Sequence, residues 1–351
     1  MSGSIIVFED ELARVVRPDL FRPVPPNDRD LSEHLQAITT DVHRNFPEIQ
    51  FTEIFFPIES EPALQFEGFH RTAEQKDELL NVYVDPATGQ ILGTTDRFFW
   101  LSRIRDLHVR LLSGRTGLIV NGYGAVLLLI LALTGVVVWW PGSLRWRRGF
   151  RVDFRRKWSR INFELHSALG IWLFSFVLIW AVSAIYFVWP EAFVSLLDRF
   201  TPTRESVHPT VVASPSPNGL FPVETFMIKA EALKPGYRVL EVVLPSENHD
   251  PLVVVVAPNG SFRRATHLFF DPGTGSLLRT WQRGNAATFG GAILPWLADL
   301  HFGESWGWPI KTLWAVFGLV LPALAVTGAV MYWNRFLAKK WRRLARLNKF
   351  R

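Results

Sequence analysis

The sequence predicts an α+β membrane protein with three transmembrane helices and two repeated domains, each a helix on an antiparallel sheet, on the outer side of the membrane. Three observations carry this. Apolar residues collect in three blocks, basic residues collect beside two of those blocks, and the two long segments outside the blocks resemble each other.

The chain has 351 residues and is 48% hydrophobic. The blocks at 117–140, 167–189 and 310–333 each exceed the roughly 20 residues that cross a ~30 Å hydrocarbon core as a helix, and none contains Asp, Glu or Arg. Lys311 lies at the edge of the third, where it can snorkel to the interface. Trp139, Trp140, Trp189, Trp306, Trp308 and Trp333 fall at the block ends, as an aromatic belt requires; that reading is preferred to an electron-hopping path. Asn121, Gly122 and Gly124 read as helix-packing residues rather than a quinone site.

The net charge is +6, and its location decides its meaning. After the first block come Arg145, Arg147, Arg148, Arg151, Arg155, Arg156, Lys157 and Arg160 against the single Asp153. After the third come Arg335, Lys339, Lys340, Arg342, Arg343, Arg346, Lys349 and Arg351 with no acid. The positive-inside rule makes both segments cytoplasmic and places residues 1 to about 110 and 191 to about 305 outside. The basic clusters therefore signal topology, and no nucleic-acid partner is expected. The absence of cysteine excludes disulfides, Fe–S clusters and thioether-linked haem. NGYGAV at 121–126 lacks a third glycine and lies inside an apolar run, so it is not a nucleotide loop.

The outer segments match over about 50 residues in the manner of an internal repeat. Pro47 and Pro57 bracket PEIQFTEIFFP, and Pro235 and Pro245 bracket PGYRVLEVVLP. NVYVDPATGQILG at 81–93 and HLFFDPGTGSLLRT at 267–280 each pair a proline-fixed φ with a glycine free to take positive φ, which predicts a hairpin. A helix is expected before each copy, over 31–45 and 222–233.

The stretches ALTGVVVWWPG (132–142) and AVTGAVMYWNR (325–335) act as rulers. Twenty-six residues before Thr134 and Thr327 stand His108 and His301, each preceded by Asp-Leu. One continuous helix would separate such a His from its Thr by ~39 Å at 1.5 Å per residue, more than the membrane core. A break is therefore expected at Gly114 and Gly117 in one copy and at Gly303, Gly307 and Pro309 in the other. That puts both imidazoles level, in short elements at the outer interface, as two axial ligands of one haem require. Capping of helix carbonyls or contact with headgroups would also explain such histidines, and spacing does not separate these readings. His166 lies at the opposite end of its block. His34, His43, His70, His208, His249 and His267 read as ordinary residues of the soluble segments. Thr134-Gly135 and Thr327-Gly328 themselves read as sites of close helix packing.

The paired D-P-x-T-G hairpins, ELHSALG at 164–170, DLHVRLL at 106–112, DLHFG at 299–303 and the twin T-G helix ends resemble the PepSY-domain membrane proteins with PepSY-associated transmembrane helices. The resemblance covers nearly the whole chain. It implies haem b between His108 and His301 near the outer face, and His166 as a ligand of a second, inner haem. It also implies a further membrane helix, opening on a His, before SGSIIVFEDEL; without that helix the inner site is half-built.

The implied organisation runs from a first PepSY-like domain (1–96, with 2–11 as the end of the missing helix) through a His segment and span (97–140) and a basic cytoplasmic loop (141–163). A span (164–190), a second PepSY-like domain (191–290), a His segment and span (291–334) and a basic tail (335–351) follow. The implied activity is that of an oxidoreductase of the bacterial inner membrane, a ferric-siderophore or other ferric-chelate reductase serving iron acquisition. Its partners would be the lipid bilayer, the chelate and an electron donor that the chain does not encode. The alternative is a non-redox membrane-anchored PepSY module that binds or regulates peptides, proteases or partner proteins.

Overall fold

A computed structural model describes residues 1–18, 20, 31–57, 63–71, 77–95, 100–140, 146–203, 209, 211, 221–247, 249–258, 265–282, 288–303, 307–338 and 341. His208, Trp306, Arg145 and the basic tail at 339–340 and from 342 lie outside these, as do the side chains of His70, Arg147 and Arg148. The chain divides into two compact units, one of Glu9–Arg103 with Leu196–Pro295, the other of Met1–Phe8, Ile104–Ser195 and Trp296–Arg351.

The first of these units is built on one antiparallel sheet. Helices α2 (Glu9–Val16) and α3 (Leu31–Asn45) precede strands β1 (Ile49–Phe55), β2 (Leu64–Arg71), β3 (Asp77–Val84) and β4 (Ile91–Thr95). Helix α9 (Val223–Leu233) precedes β5 (Tyr237–Val243), β6 (Leu252–Pro258), β7 (Thr266–Phe270) and β8 (Leu277–Gln282). The strand order is β4-β3-β2-β1-β5-β6-β7-β8, so the two halves share a sheet rather than forming separate small ones.

The joint is the antiparallel pair β1–β5, centred on Ile54 opposite Val242 and extended by Phe56 N–H to the Leu240 carbonyl (2.8 Å) and Leu244 N–H to the Thr52 carbonyl (2.7 Å). These are the two proline-bracketed stretches. Pro57 and Pro245 lack an N–H, so pairing stops at each. Helices α3 and α9 cover one face: Leu35, Ile38 and Val42 of one, and Val223, Phe226 and Ala230 of the other, join Ile54, Phe66, Val82, Val242, Val254 and Phe270 in a single core. Strand β6 is buried on both faces, because Val253, Val255 and Ala257 pack with Leu240, Ala265 and Phe269 on the other side, which accounts for its unbroken apolar run.

Both D-P-x-T-G segments are hairpin turns. The Asp85 carboxylate accepts from the backbone N–H of Ala87 (2.8 Å) and Thr88 (3.3 Å), and Asp271 from Gly273 (2.9 Å) and Thr274 (2.8 Å). Gly89 and Gly275 take φ of 72° and 67°, a region costly for residues with a Cβ.

The other unit is helical: α1 (Ser2–Ile6), α4 (Trp100–Arg110, from Ile104), α5 (Gly114–Trp139), α6 (Trp158–Trp172), α7 (Phe174–Val188), α8 (Pro190–Leu197, to Ser195), α10 (Phe289–Phe302, from Trp296) and α11 (Trp308–Tyr332). α5 and α11 are long and apolar enough to cross a membrane, and α6 with α7 form a third span if the bent pair counts as one. Leu127, Leu131, Val137 and Val138 of α5 are more than 60% exposed, as expected of side chains that face lipid. α5 packs on α7 through Gly122, where an added Cβ would lie 2.7 Å from Val188 and 2.8 Å from Trp189.

The single helix expected over 167–189 is instead the pair α6 and α7. The pair starts at Trp158 and bends by 62° at Leu173. No proline marks the bend. Gly170, Ser167 and Ser175 flank it, and small residues of this kind weaken a helix locally without altering the hydropathy by which the block was recognised.

Candidate functional site

The expected breaks between histidine and span are present, with a different local cause in each copy. After α4, Leu111 (φ 51°) and Leu112 (φ 57°) turn left-handed together with Gly114 (φ 55°). Two leucines in that region cost about 1–2 kcal/mol each, so surrounding contacts must hold them there. The Arg110 carbonyl occupies the space where a Cβ of Gly117 would stand. Asn121 of α5 donates its amide to the carbonyls of His108 (2.8 Å) and Val109 (3.2 Å), satisfying the end of α4. Between α10 and α11, Gly303 (φ 70°) and Gly307 (φ 81°) make the turn, and Trp314 of α11 donates its indole N–H to the Leu300 carbonyl at 2.8 Å. Each histidine thus stands near the end of a short helix that is pinned by a polar side chain of the following span.

Three histidines meet a hydroxyl on another helix. His108 Nδ1 lies 3.1 Å from Ser2 Oγ of α1, His301 Nδ1 2.7 Å from Ser183 Oγ of α7, and His166 Nδ1 2.9 Å from Thr327 Oγ1 of α11. Glycine makes room for two of the rings: a Cβ on Gly3 would lie 3.0 Å from the His108 ring, and one on Gly328 3.3 Å from that of His166. Thr327-Gly328 is therefore a histidine seat and not merely a site of close helix packing. Thr134-Gly135 differs. Thr134 bonds the carbonyls of Ile130 (2.7 Å) and Leu131 (3.2 Å) in its own helix, and nothing among the described residues lies within 4 Å of a Cβ on Gly135.

The histidines stand at two levels of α11. Trp314 marks the level of His301 and Thr327 that of His166, and their separation of 13 positions corresponds to ~20 Å of helix. His166 is thus not grouped with His301. Asn162, one turn before His166, donates to the Thr327 carbonyl at 2.9 Å and is 2% exposed, which fixes α6 against α11. Burial, and after it the proximity of His108, push the His301 imidazole down to about 4. His108 is lowered by burial and by the amino group of Met1. Both rings are therefore neutral at pH 7, the form in which imidazole binds a metal.

The remaining described histidines play other parts. His34 and His249 are exposed, His43 meets Phe51 edge-on at 5.2 Å, and His267 meets Trp281 at 4.9 Å. Among the described residues no group of three or more His, Cys, Asp or Glu is placed to hold a metal ion. A haem iron needs only two axial side chains, so three imidazoles in an apolar helical unit fit such a group in donor chemistry.

A family model described as the PepSY-associated TM region matches residues 1–335. The chain belongs to that family. A search of curated proteins returns no significant match. In this PepSY-associated chain, sequence reading located the three histidines but missed what supports them. Ser2, Ser183, Asn121, Asn162 and Trp314 look like ordinary helix residues. One signal was available: Asn162 and His166 are spaced i, i+4, and so share a helix face.

Proposed function

We propose that this protein is a haem-b membrane reductase that passes single electrons across the bacterial inner membrane to a periplasmic ferric chelate such as a siderophore. The observation that carries the reading is the set of three supported histidines, each with Nδ1 on a hydroxyl of another helix. His108 and His301 would hold one haem at the outer level, and His166 would supply one ligand at the inner level. Haem iron between two neutral imidazoles is six-coordinate and suited to electron transfer.

The chain's own residues provide position and environment. Asn121 and Trp314 hold the two outer helix ends, and Phe187 and Phe302 pack edge-on to His301 at 5.1 and 5.4 Å, keeping water from the ring. The basic residues beside α5 and after α11 orient these ends to the cytoplasm by the positive-inside rule, which leaves the sheet unit outside as a docking surface for the chelate. Reduction frees the metal because hard oxygen ligands hold Fe(III) more strongly than Fe(II).

Membranes carrying the protein should give a reduced-minus-oxidised b-type spectrum, diminished in His108→Ala and His301→Ala. Protein that binds no haem when haem is supplied would overturn the reading and favour the non-redox PepSY module.

A further inference from the structure

A hydroxyl group has one proton, and the structure accounts for it in two of the three contacts. Ser183 is a fully buried polar residue in the middle of α7. Its Oγ donates back along the helix to the Ile179 carbonyl (2.7 Å), with the Trp180 carbonyl at 3.2 Å. Thr327 does the same, donating to Ala323 (2.7 Å) with Leu324 at 3.1 Å. Carbonyls only accept, so each hydroxyl proton is committed to its own helix. Towards His301 Nδ1 and His166 Nδ1 the oxygens therefore present lone pairs, and each ring must bring the proton to the contact. The contact between Ser2 Oγ and His108 Nδ1 stays open in direction.

We infer that Ser183 and Thr327 are positioning residues that hold His301 and His166 in the Nδ1–H tautomer, so that Nε2 carries the free lone pair for an axial bond to haem iron. The inference rests on the haem reading for its purpose but not for its geometry. In a neutral imidazole one nitrogen donates and the other accepts, and an acceptor placed on Nδ1 settles which. The same contact orients the ring and raises the basicity of Nε2, as outer-shell partners of metal-bound histidines generally do. This gives a reason for the second contact of a hydroxyl at 0% exposure, whose proton is bonded within its own helix while its oxygen faces an imidazole.

The test uses the full chain in detergent, labelled with 15N-histidine. In the haem-free protein at about pH 8, where the rings are neutral, the His301 signal, assigned by its loss in His301→Gln, should report Nδ1–H. In Ser183→Ala it should move to the Nε2–H form or a mixture. An Nε2–H signal in the unaltered protein, or one unchanged by Ser183→Ala, overturns the inference whether or not haem binds. With haem supplied, Ser183→Ala should weaken binding by roughly tenfold or more and raise the midpoint potential, because a less basic ligand stabilises Fe(III) less. Ser183→Thr should retain the Nδ1–H signal. An unchanged potential in Ser183→Ala also overturns the positioning role, whereas absence of haem binding in every form overturns the reductase reading while the tautomer result still decides the geometry.

Discussion

Glu241→Gln should stabilise the sheet unit at alkaline pH and remove most of its pH dependence. Glu241 lies on β5 opposite Phe55, diagonally across from Glu53 of β1, and Glu53 lies opposite Glu67 of β2. Glu53 is six residues past Pro47 and Glu241 six past Pro235, each just after a bulge, so the antiparallel joint brings two equivalent carboxylates together. Burial, then the charges of Glu53 and Glu67, push the Glu241 carboxyl up to about 7. Burial raises Glu53 as well.

Between pH 4.5 and about 7 the folded state thus keeps a proton that the unfolded chain releases, and stability falls as pH rises through that window. At about 1.4 kcal/mol per tenfold change in proton affinity, the difference between 4.5 and about 7 corresponds to roughly 3 kcal/mol as an upper limit. The chain has no cysteine, so Ala257→Cys, at a position 0% exposed in β6, provides a single buried thiol whose labelling reports opening of the sheet in urea. The unfolding midpoint should drop by about 1–3 M between pH 5 and pH 8. In Glu241→Gln it should stay nearly level, meeting the parent near pH 5 and exceeding it at pH 8. Parallel pH profiles for the two proteins would refute the reasoning.

Trp314→Phe keeps most of the buried ring but loses the indole bond to the Leu300 carbonyl; a cost of about 1 kcal/mol and faster proteolysis between α10 and α11 are expected. Gly303→Ala combines φ 70° with a Cβ driven into the Trp314 ring and should reduce folded yield more than Trp314→Phe, as measured by size-exclusion chromatography in detergent. Gly122→Val places methyl groups against Val188 and Trp189 and should separate α5 from α7, read as lost crosslinking between cysteines introduced on the two helices. Asn162→Ala leaves the Thr327 carbonyl without its 2.9 Å donor and should destabilise the α6–α11 contact by about 1–3 kcal/mol, measured as a lower thermal midpoint in detergent.

Much was legible from residue order because the relevant physics is local or additive. Hydropathy summed over about 20 residues located α5 and α11, and D-P-x-T-G chemistry located both hairpin turns, whose bonds all lie within five residues. The 26-residue ruler found His108 and His301, and glycine marked the breaks that follow them.

What the sequence alone could not decide depended on which distant residues meet. Nothing in PEIQFTEIFFP or PGYRVLEVVLP names the other as its partner, so the single sheet and its paired glutamates emerge only from the β1–β5 register. Thr134 and Thr327 occupy the same motif, yet among the described residues only Thr327 receives a histidine, because the neighbour is supplied by another helix. Residue order determined the spans, the turns and the candidate histidines; tertiary structure decided which hydroxyl faces which ring, since a hydrogen bond between residues 118 or 161 positions apart leaves no periodic trace along the chain.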